Sequence, residues 1–84
     1  MKGKHRKILE AIFAKPTRAN IKFHDIETLI LALGGEIREG NGSRVVLELF
    51  GTREYAHKPH PVKEAKKYIV EKIRDWLKSL EVTP

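Results

Sequence analysis

Two histidines lie three positions apart in residues 55–61, which read Tyr-Ala-His-Lys-Pro-His-Pro. Histidine is the side chain best able to gain or lose a proton near neutral pH, so His57 and His60 are candidates for proton transfer. Lys58 adds a cation between them, and the two prolines restrict the backbone that presents these side chains. The segment is therefore suited to bind a phosphodiester and act on it. Alternatively, it is a rigid exit from a strand into a helix, with histidines that only cap and pack.

Acid–base cleavage of RNA needs a group that takes the 2′-hydroxyl proton, a group that protonates the leaving oxygen, and a cation for the phosphorane. Glu48 or Tyr55 is a further candidate for proton transfer, and Arg44 is a further candidate cation. We expect neither a metal nor another cofactor. The spacing His57-x-x-His60 is shorter than the helical histidine spacing of zinc hydrolases, a proline lies inside it, and no third ligand is near in the sequence.

The composition indicates one small basic domain. A chain of 84 residues has room for a single small core, and its net charge of +6 favours a polyanion such as nucleic acid, or an acidic protein, as partner. The absence of cysteine excludes disulfides, thiolate metal sites and thiol nucleophiles. The longest apolar run, residues 29–33, is too short to cross a bilayer, and no signal-peptide core is visible. We therefore expect a cytoplasmic protein without a membrane partner.

Three helices are predicted from apolar residues at helical spacing. The first covers residues 5–14 and ends at a Lys-Pro pair, because proline disfavours helical backbone in the residue before it. The second covers about residues 24–33, where Gly34-Gly35 stops it. The third begins between residues 63 and 68 and ends near residue 80. Its apolar stripe is the most regular of the three.

Three strands are predicted between the second and third helices. Residues 36–39 form a short strand, a turn follows at residues 40–42, and residues 44–50 alternate between apolar and polar side chains. Gly51-Thr52 matches a two-residue hairpin loop with glycine first, so residues 53–58 form the returning strand. The order of elements predicts an α+β fold, in which helices cover one face of a three-stranded antiparallel sheet.

The predicted hairpin loop also sets a register. It pairs Glu48 with Tyr55 and Val46 with His57. Residues directly across a strand pair share a face, so the apolar positions face the helices and the polar ones face outward. We call the outward side the open face; five residues are expected on it: Arg44, Val46, Glu48, Tyr55 and His57.

The chain resembles the HicA (YcfA-like) toxins of type II toxin–antitoxin systems over roughly residues 20–82. The resemblance rests on the order and spacing of four pieces: Asp25-Ile26-Glu27-x-Leu29 leading to Leu33-Gly34-Gly35, then Gly42-Ser43-Arg44, then His57-Lys58-Pro59-His60-Pro61, then the helix over residues 70–80. It implies a fold like a double-stranded-RNA-binding domain, metal-independent mRNA cleavage, and a HicB-like antitoxin that covers the open face. It also divides the chain into an N-terminal helical extension, residues 1–19, and a HicA-like domain, residues 20–84.

One position departs from the family pattern. In the better-known members the Gly-Ser pair is followed by a histidine held to be catalytic, whereas this chain has Arg44. Arginine does not give up its proton at neutral pH, but it binds phosphate well. Three hypotheses follow: proton transfer by His57, with His60 and Glu48; RNA binding without cleavage; or an interaction protein held silent by an acidic partner. The candidate RNA-binding residues are Arg44, Ser43, Lys58, Lys63, Lys66 and Lys67.

Overall fold

Helices and strands form in the order that the apolar pattern predicts. A computed structural model describes residues 3–84. Its elements are α1 (Gly3–Phe13), α2 (Phe23–Ala32), β1 (Glu36–Glu39), β2 (Arg44–Leu49), β3 (Thr52–His57) and α3 (Lys67–Ser79). Among the helices of these residues, none combines the length and the apolar composition that a membrane crossing requires.

The sheet is antiparallel with strand order β1-β2-β3, but its hairpin register differs from the predicted one. The loop is Phe50-Gly51 rather than Gly51-Thr52, and both loop residues have positive φ, +51° and +77°. Positive φ at both central positions is the type I′ geometry that fits the twist of a hairpin. Arg44 therefore pairs with His57 and Val46 with Tyr55, and the predicted pairs Val46–His57 and Glu48–Tyr55 are wrong.

Contacts of Thr52 explain the corrected register. Its hydroxyl donates to the carbonyl oxygen of Leu49 at 2.7 Å and accepts from Trp76 Nε1 at 2.9 Å. These bonds hold Thr52 in the strand, opposite Leu49, where the prediction had placed it in the loop. The difference moves each β3 residue by two positions along β2. An even shift preserves the faces, so Val45, Leu47, Leu49 and Ala56 are buried as expected.

One hydrophobic core joins all the elements. α2 packs on β1 and β2, α3 packs on β3, and α1 packs against both of these helices. Arg74 of α3 ties α1 down further, because it donates to the carbonyl oxygens of Ile12 and Ala14 at 2.8 and 3.1 Å. The predicted α+β fold is confirmed, and it is consistent with a double-stranded-RNA-binding-domain-like arrangement. The division of the chain at residue 19 stays a prediction.

The connector between β3 and α3 lies beside the start of α2. Phe23 N donates to Lys63 O at 3.0 Å, and Ala65 N donates to Ile21 O at 2.8 Å. Lys22 and Glu64 form the antiparallel bridge between these bonds. Two backbone hydrogen bonds therefore hold the connector, with its Pro-His-Pro corner, against residues 21–23.

Candidate functional site

His57 is an exposed residue at the end of β3, directly opposite Arg44 on the open face. Its Nδ1 lies 3.4 Å from Ser43 Oγ. The backbone beside this contact is fixed, because Lys58 N donates to Ser43 O at 2.7 Å. With Nδ1 turned toward Ser43, Nε2 is the ring nitrogen left for a substrate. The corrected register thus brings Arg44 closer to His57 than the predicted one did.

A cavity of about 230 Å³ lies between this end of the sheet, the connector and the start of α3. We call it the His57 pocket; its lining residues are Ser43, His57, Lys58, Pro59, His60, Val62, Lys66, Tyr68 and Ile69. Both candidate histidines and two of the candidate lysines therefore share one cavity. None of its lining residues is acidic. Its electrostatic character is that of an anion site.

The start of α3 adds to that character. Lys66 is the N-cap residue, it makes no side-chain cap hydrogen bond, and no acidic residue lies in the first turn. The first turn of a helix carries backbone N–H groups without intrahelical partners and the positive end of the helix dipole. Lys66, Tyr68 and Ile69 line the His57 pocket, so the positive end of the α3 dipole lies at its wall.

Lys58 forms an ion pair with a buried carboxylate. Its Nζ lies 3.8 Å from Glu27 Oε1, and Glu27 of α2 is only 8% exposed. The sequence offered no reason to link these two residues, which are 31 positions apart. The ion pair limits the freedom of the lysine side chain, which stays about half exposed toward the pocket.

A second cavity, of about 250 Å³, lies on the other side of the Pro-His-Pro corner. We call it the corner pocket; it is lined by Lys22, Phe23, His24, Lys58, Pro59, His60, Pro61, Val62 and Lys63. His60 lines both cavities, so it lies between them. His24, the second residue of α2, also lines the corner pocket.

Glu48 lies at the other end of the open face. Its Oε1 is 2.8 Å from Arg38 Nε, and its Oε2 is 3.4 Å from Arg53 Nε. Glu48 is four residues along β2 from Arg44, a distance of about 13 Å. The structure therefore does not bring Glu48 together with the two histidines. Within residues 3–84, no three side chains of the types that bind metals are clustered closely enough to hold an ion.

The other predicted RNA-binding residues are divided among several places. Lys66 lines the His57 pocket, Lys63 lines the corner pocket, and Lys67 is exposed on α3 and lines neither. Arg44 lines a smaller cavity of about 110 Å³ along the edge of β3, which also includes His57, Tyr55, Tyr68 and Lys72. We call this the edge pocket.

Tyr68 is the functional candidate that the sequence reasoning missed. Its side chain is 56% exposed, and the residue lines both the His57 pocket and the edge pocket. It follows the N-cap region of α3 and precedes Ile69, the first buried residue of that helix. No local sequence signal marks it, since its place at the sheet edge depends on the packing of α3 on β3.

Comparison with known proteins gives one match. A family model described as "HicA toxin of bacterial toxin-antitoxin" matches residues 23–82. The matched range begins at the first residue of α2 and includes the whole sheet, the His57 pocket and α3, but not α1. No curated protein and no solved structure matches the chain.

Proposed function

The chain belongs to the HicA family of toxins from bacterial toxin–antitoxin systems, and on this basis we propose that it cleaves mRNA in the His57 pocket without a metal ion. The observation that carries the proposal is that His57 and His60 line one cavity together with Ser43 and two lysines. Two imidazoles and several cations around one cavity are the groups that acid–base cleavage of a phosphodiester needs.

The proposed reaction uses the two histidines in opposite roles. His57 Nε2 takes the proton of the 2′-hydroxyl, and the 2′-oxygen attacks phosphorus. The bond from phosphorus to the 5′-oxygen breaks, and His60 gives its proton to that oxygen. The products are a 2′,3′-cyclic phosphate and a 5′-hydroxyl, with the two histidines left in exchanged protonation states. We assign the base to His57 because Ser43 holds its other ring nitrogen.

Cations supply the remaining stabilisation in this scheme. Lys58 and Lys66 line the cavity, and Arg44 lies across the strand pair from His57. Charge that builds on the phosphorane oxygens is stabilised by positive groups already in place. Lys58 is also paired with Glu27 at 3.8 Å, whereas Lys66 and Arg44 have no carboxylate partner within residues 3–84, so their charge is the more available. Glu48 has no part in the scheme, since it is engaged by Arg38 and Arg53.

A second candidate function is RNA binding without cleavage. It is favoured by one observation, the arginine at position 44, where the resemblance implies a catalytic histidine. On either function, membership of the family implies an antitoxin partner. We propose that a HicB-like antitoxin covers the open face, because contact with Arg44 and His57 there would exclude RNA.

The test uses the chain freed of antitoxin and incubated with single-stranded RNA in a metal chelator. Cleavage is expected, with cyclic phosphate ends, and it should be lost in His57→Ala. The matched control is Glu48→Gln, which removes a charge from the same face at a distance from the pocket and should still cleave. Intact RNA together with salt-dependent binding would establish the second function. Intact RNA and unaffected growth on expression would contradict the proposed nuclease.

A further inference from the structure

A further cationic cavity lies between α1 and the segment that leads into α2. Its volume is about 550 Å³. We call it the α1 groove; the residues that line it include Lys4, Lys7, Ile8, Arg18 and Asp25. Three cations therefore surround this cavity against one carboxylate. It contains no histidine, so it has no acid–base pair like that of the His57 pocket.

The cations of the α1 groove have no carboxylate partner in the part of the chain that the structure describes. Among residues 3–84, no carboxylate lies within ion-pair distance of Lys4, Lys7 or Arg18. Arg38 and Arg53, in contrast, share Glu48. The one carboxylate in the groove, Asp25, lies in the first turn of α2, where the helix dipole favours a negative charge. The groove thus has positive charge available for an outside anion.

The α1 groove and the corner pocket are lined by consecutive residues of the segment that leads into α2. Ile21 lines the groove, and the next residues, Lys22 and Phe23, line the corner pocket. His60 then lines both the corner pocket and the His57 pocket. The backbone bonds between residues 21–23 and 63–65 hold these parts together. Residues 3–84 measure 32 × 28 × 21 Å, so a single strand of a few nucleotides can reach from one cavity to another across this part of the chain.

We propose that the α1 groove binds backbone phosphates of an RNA strand whose scissile phosphate lies in the His57 pocket. The inference rests on the proposed function for the position of the scissile phosphate. Lys4, Lys7 and Arg18 contact the phosphates, and Ile8 provides an apolar wall for a sugar or base. Of the residues that line the groove, only Asp25 falls inside the range matched by the family model. The groove is therefore an addition made by this chain to the matched domain.

The test measures binding of 2′-O-methyl RNA, which lacks the 2′-hydroxyl nucleophile and so stays intact. A labelled strand of about 12 nucleotides, within the range that small single-strand-binding domains cover, is compared with a trinucleotide. The groove variant is Lys4→Gln with Lys7→Gln. The control is Arg6→Gln with Lys15→Gln, which removes the same charge from exposed residues that do not line the groove.

The groove variant should bind the longer strand about tenfold more weakly, with a salt slope lower by about 1.4, since each single-strand phosphate contact contributes about 0.7. The control should stay within about twofold of the unaltered chain, and both variants should bind the trinucleotide equally. Thermal melts check that each variant is folded. Amide NMR shifts at residues 4–25 on titration with the longer strand should agree with the affinities.

Two outcomes would overturn the inference. Equal losses in the two variants would mean that overall charge, not the groove, attracts RNA. A groove that binds a poly-glutamate peptide but is indifferent to the longer strand would be a site for an acidic protein. Cleavage is measured separately on ordinary RNA. If the groove variant binds RNA more weakly but the unaltered chain never cleaves, the groove is supported and the nuclease is contradicted. If the unaltered chain cleaves but the groove variant binds RNA normally, the nuclease is supported and the groove is contradicted.

Discussion

The two ends of the open face carry similar residues in opposite electrostatic situations. At one end, Arg38 and Arg53 are joined by Glu48, whose side chain is only 18% exposed. At the other end, Arg44 lies opposite His57, and within residues 3–84 no carboxylate pairs with either. A cation already satisfied by a neighbour gives little to a ligand. The sheet is therefore stabilised by charge at the Glu48 end and left open to an anion at the His57 end.

The difference follows from the register. Arg44 and Glu48 are four positions apart in β2, so they lie on the same face of the sheet but too far apart to contact the same residues. In the predicted register, Glu48 would lie opposite Tyr55, only two residues from His57. In the structure it lies opposite Arg53 instead. A two-position change in pairing thus converts a catalytic candidate into a structural ion pair.

The largest expected effect is a difference in cleavage rate between substitutions at the His57 end and at the Glu48 end of the open face. His57→Ala should lower the cleavage rate by about 10²- to 10⁴-fold, the usual contribution of a positioned acid or base. Glu48→Gln should lower it less than about threefold, because its neighbours Arg38 and Arg53 lie outside the pocket. Rates are measured on one RNA under single-turnover conditions. Equal losses of rate in the two variants would mean that Glu48 also takes part in cleavage, and the two ends of the open face would then not differ in function.

A smaller difference is expected in RNA affinity between substitutions at the same two ends of the open face. Arg44→Gln should weaken binding of 2′-O-methyl RNA by about three- to tenfold, because one phosphate contact is lost. Arg53→Gln should change binding by less than about twofold, since that guanidinium is engaged by Glu48. The two substitutions remove the same charge from the same face. Equal weakening would show that the open face attracts RNA by its summed charge alone.

Local pattern was sufficient to predict the elements and the faces of the sheet. Apolar spacing placed the three helices, and strict alternation placed Val45, Leu47 and Leu49 on the buried side of β2. These features depend on residues close in sequence. The even register error left the faces correct, so the open face and its histidine were also predicted.

The detailed geometry of the candidate site could not be predicted from local sequence patterns. The hairpin loop is Phe50-Gly51 because Thr52 is held by Trp76, which is 24 positions away. Contact between Ser43 and His57 depends on that pairing, as does the engagement of Glu48 by Arg53. The exposed Tyr68 was missed because only the fold brings the start of α3 to the sheet edge. Each of these facts requires contacts between distant parts of the chain.

Substitutions at the two ends of the open face should also differ in their effect on the stability of the protein. Glu48→Gln should lower the free energy of unfolding by about 1 kcal/mol, or about 4–8 °C in Tm for a domain of this size, because Arg38 and Arg53 lose their shared anion. Arg44→Gln should leave Tm unchanged within about 1 °C, since surface substitutions without partners cost little. Thermal melts at low and high salt measure both. Screening should shrink the Glu48 effect at high salt, and a salt-independent loss would point to packing instead.

The smallest expected effect concerns Ser43, which in the proposed reaction positions His57 rather than reacting. Its Oγ is 3.4 Å from Nδ1, beyond the usual length of a strong hydrogen bond, so Ser43→Ala should lower kcat only about threefold. KM should be nearly unchanged, because the lysines that line the His57 pocket remain. Ser43→Thr, which keeps the hydroxyl, should recover most of the rate. A tenfold rise in KM without recovery by threonine would instead make Ser43 a contact for RNA, and the orientation of His57 would then depend on the β2–β3 pairing alone.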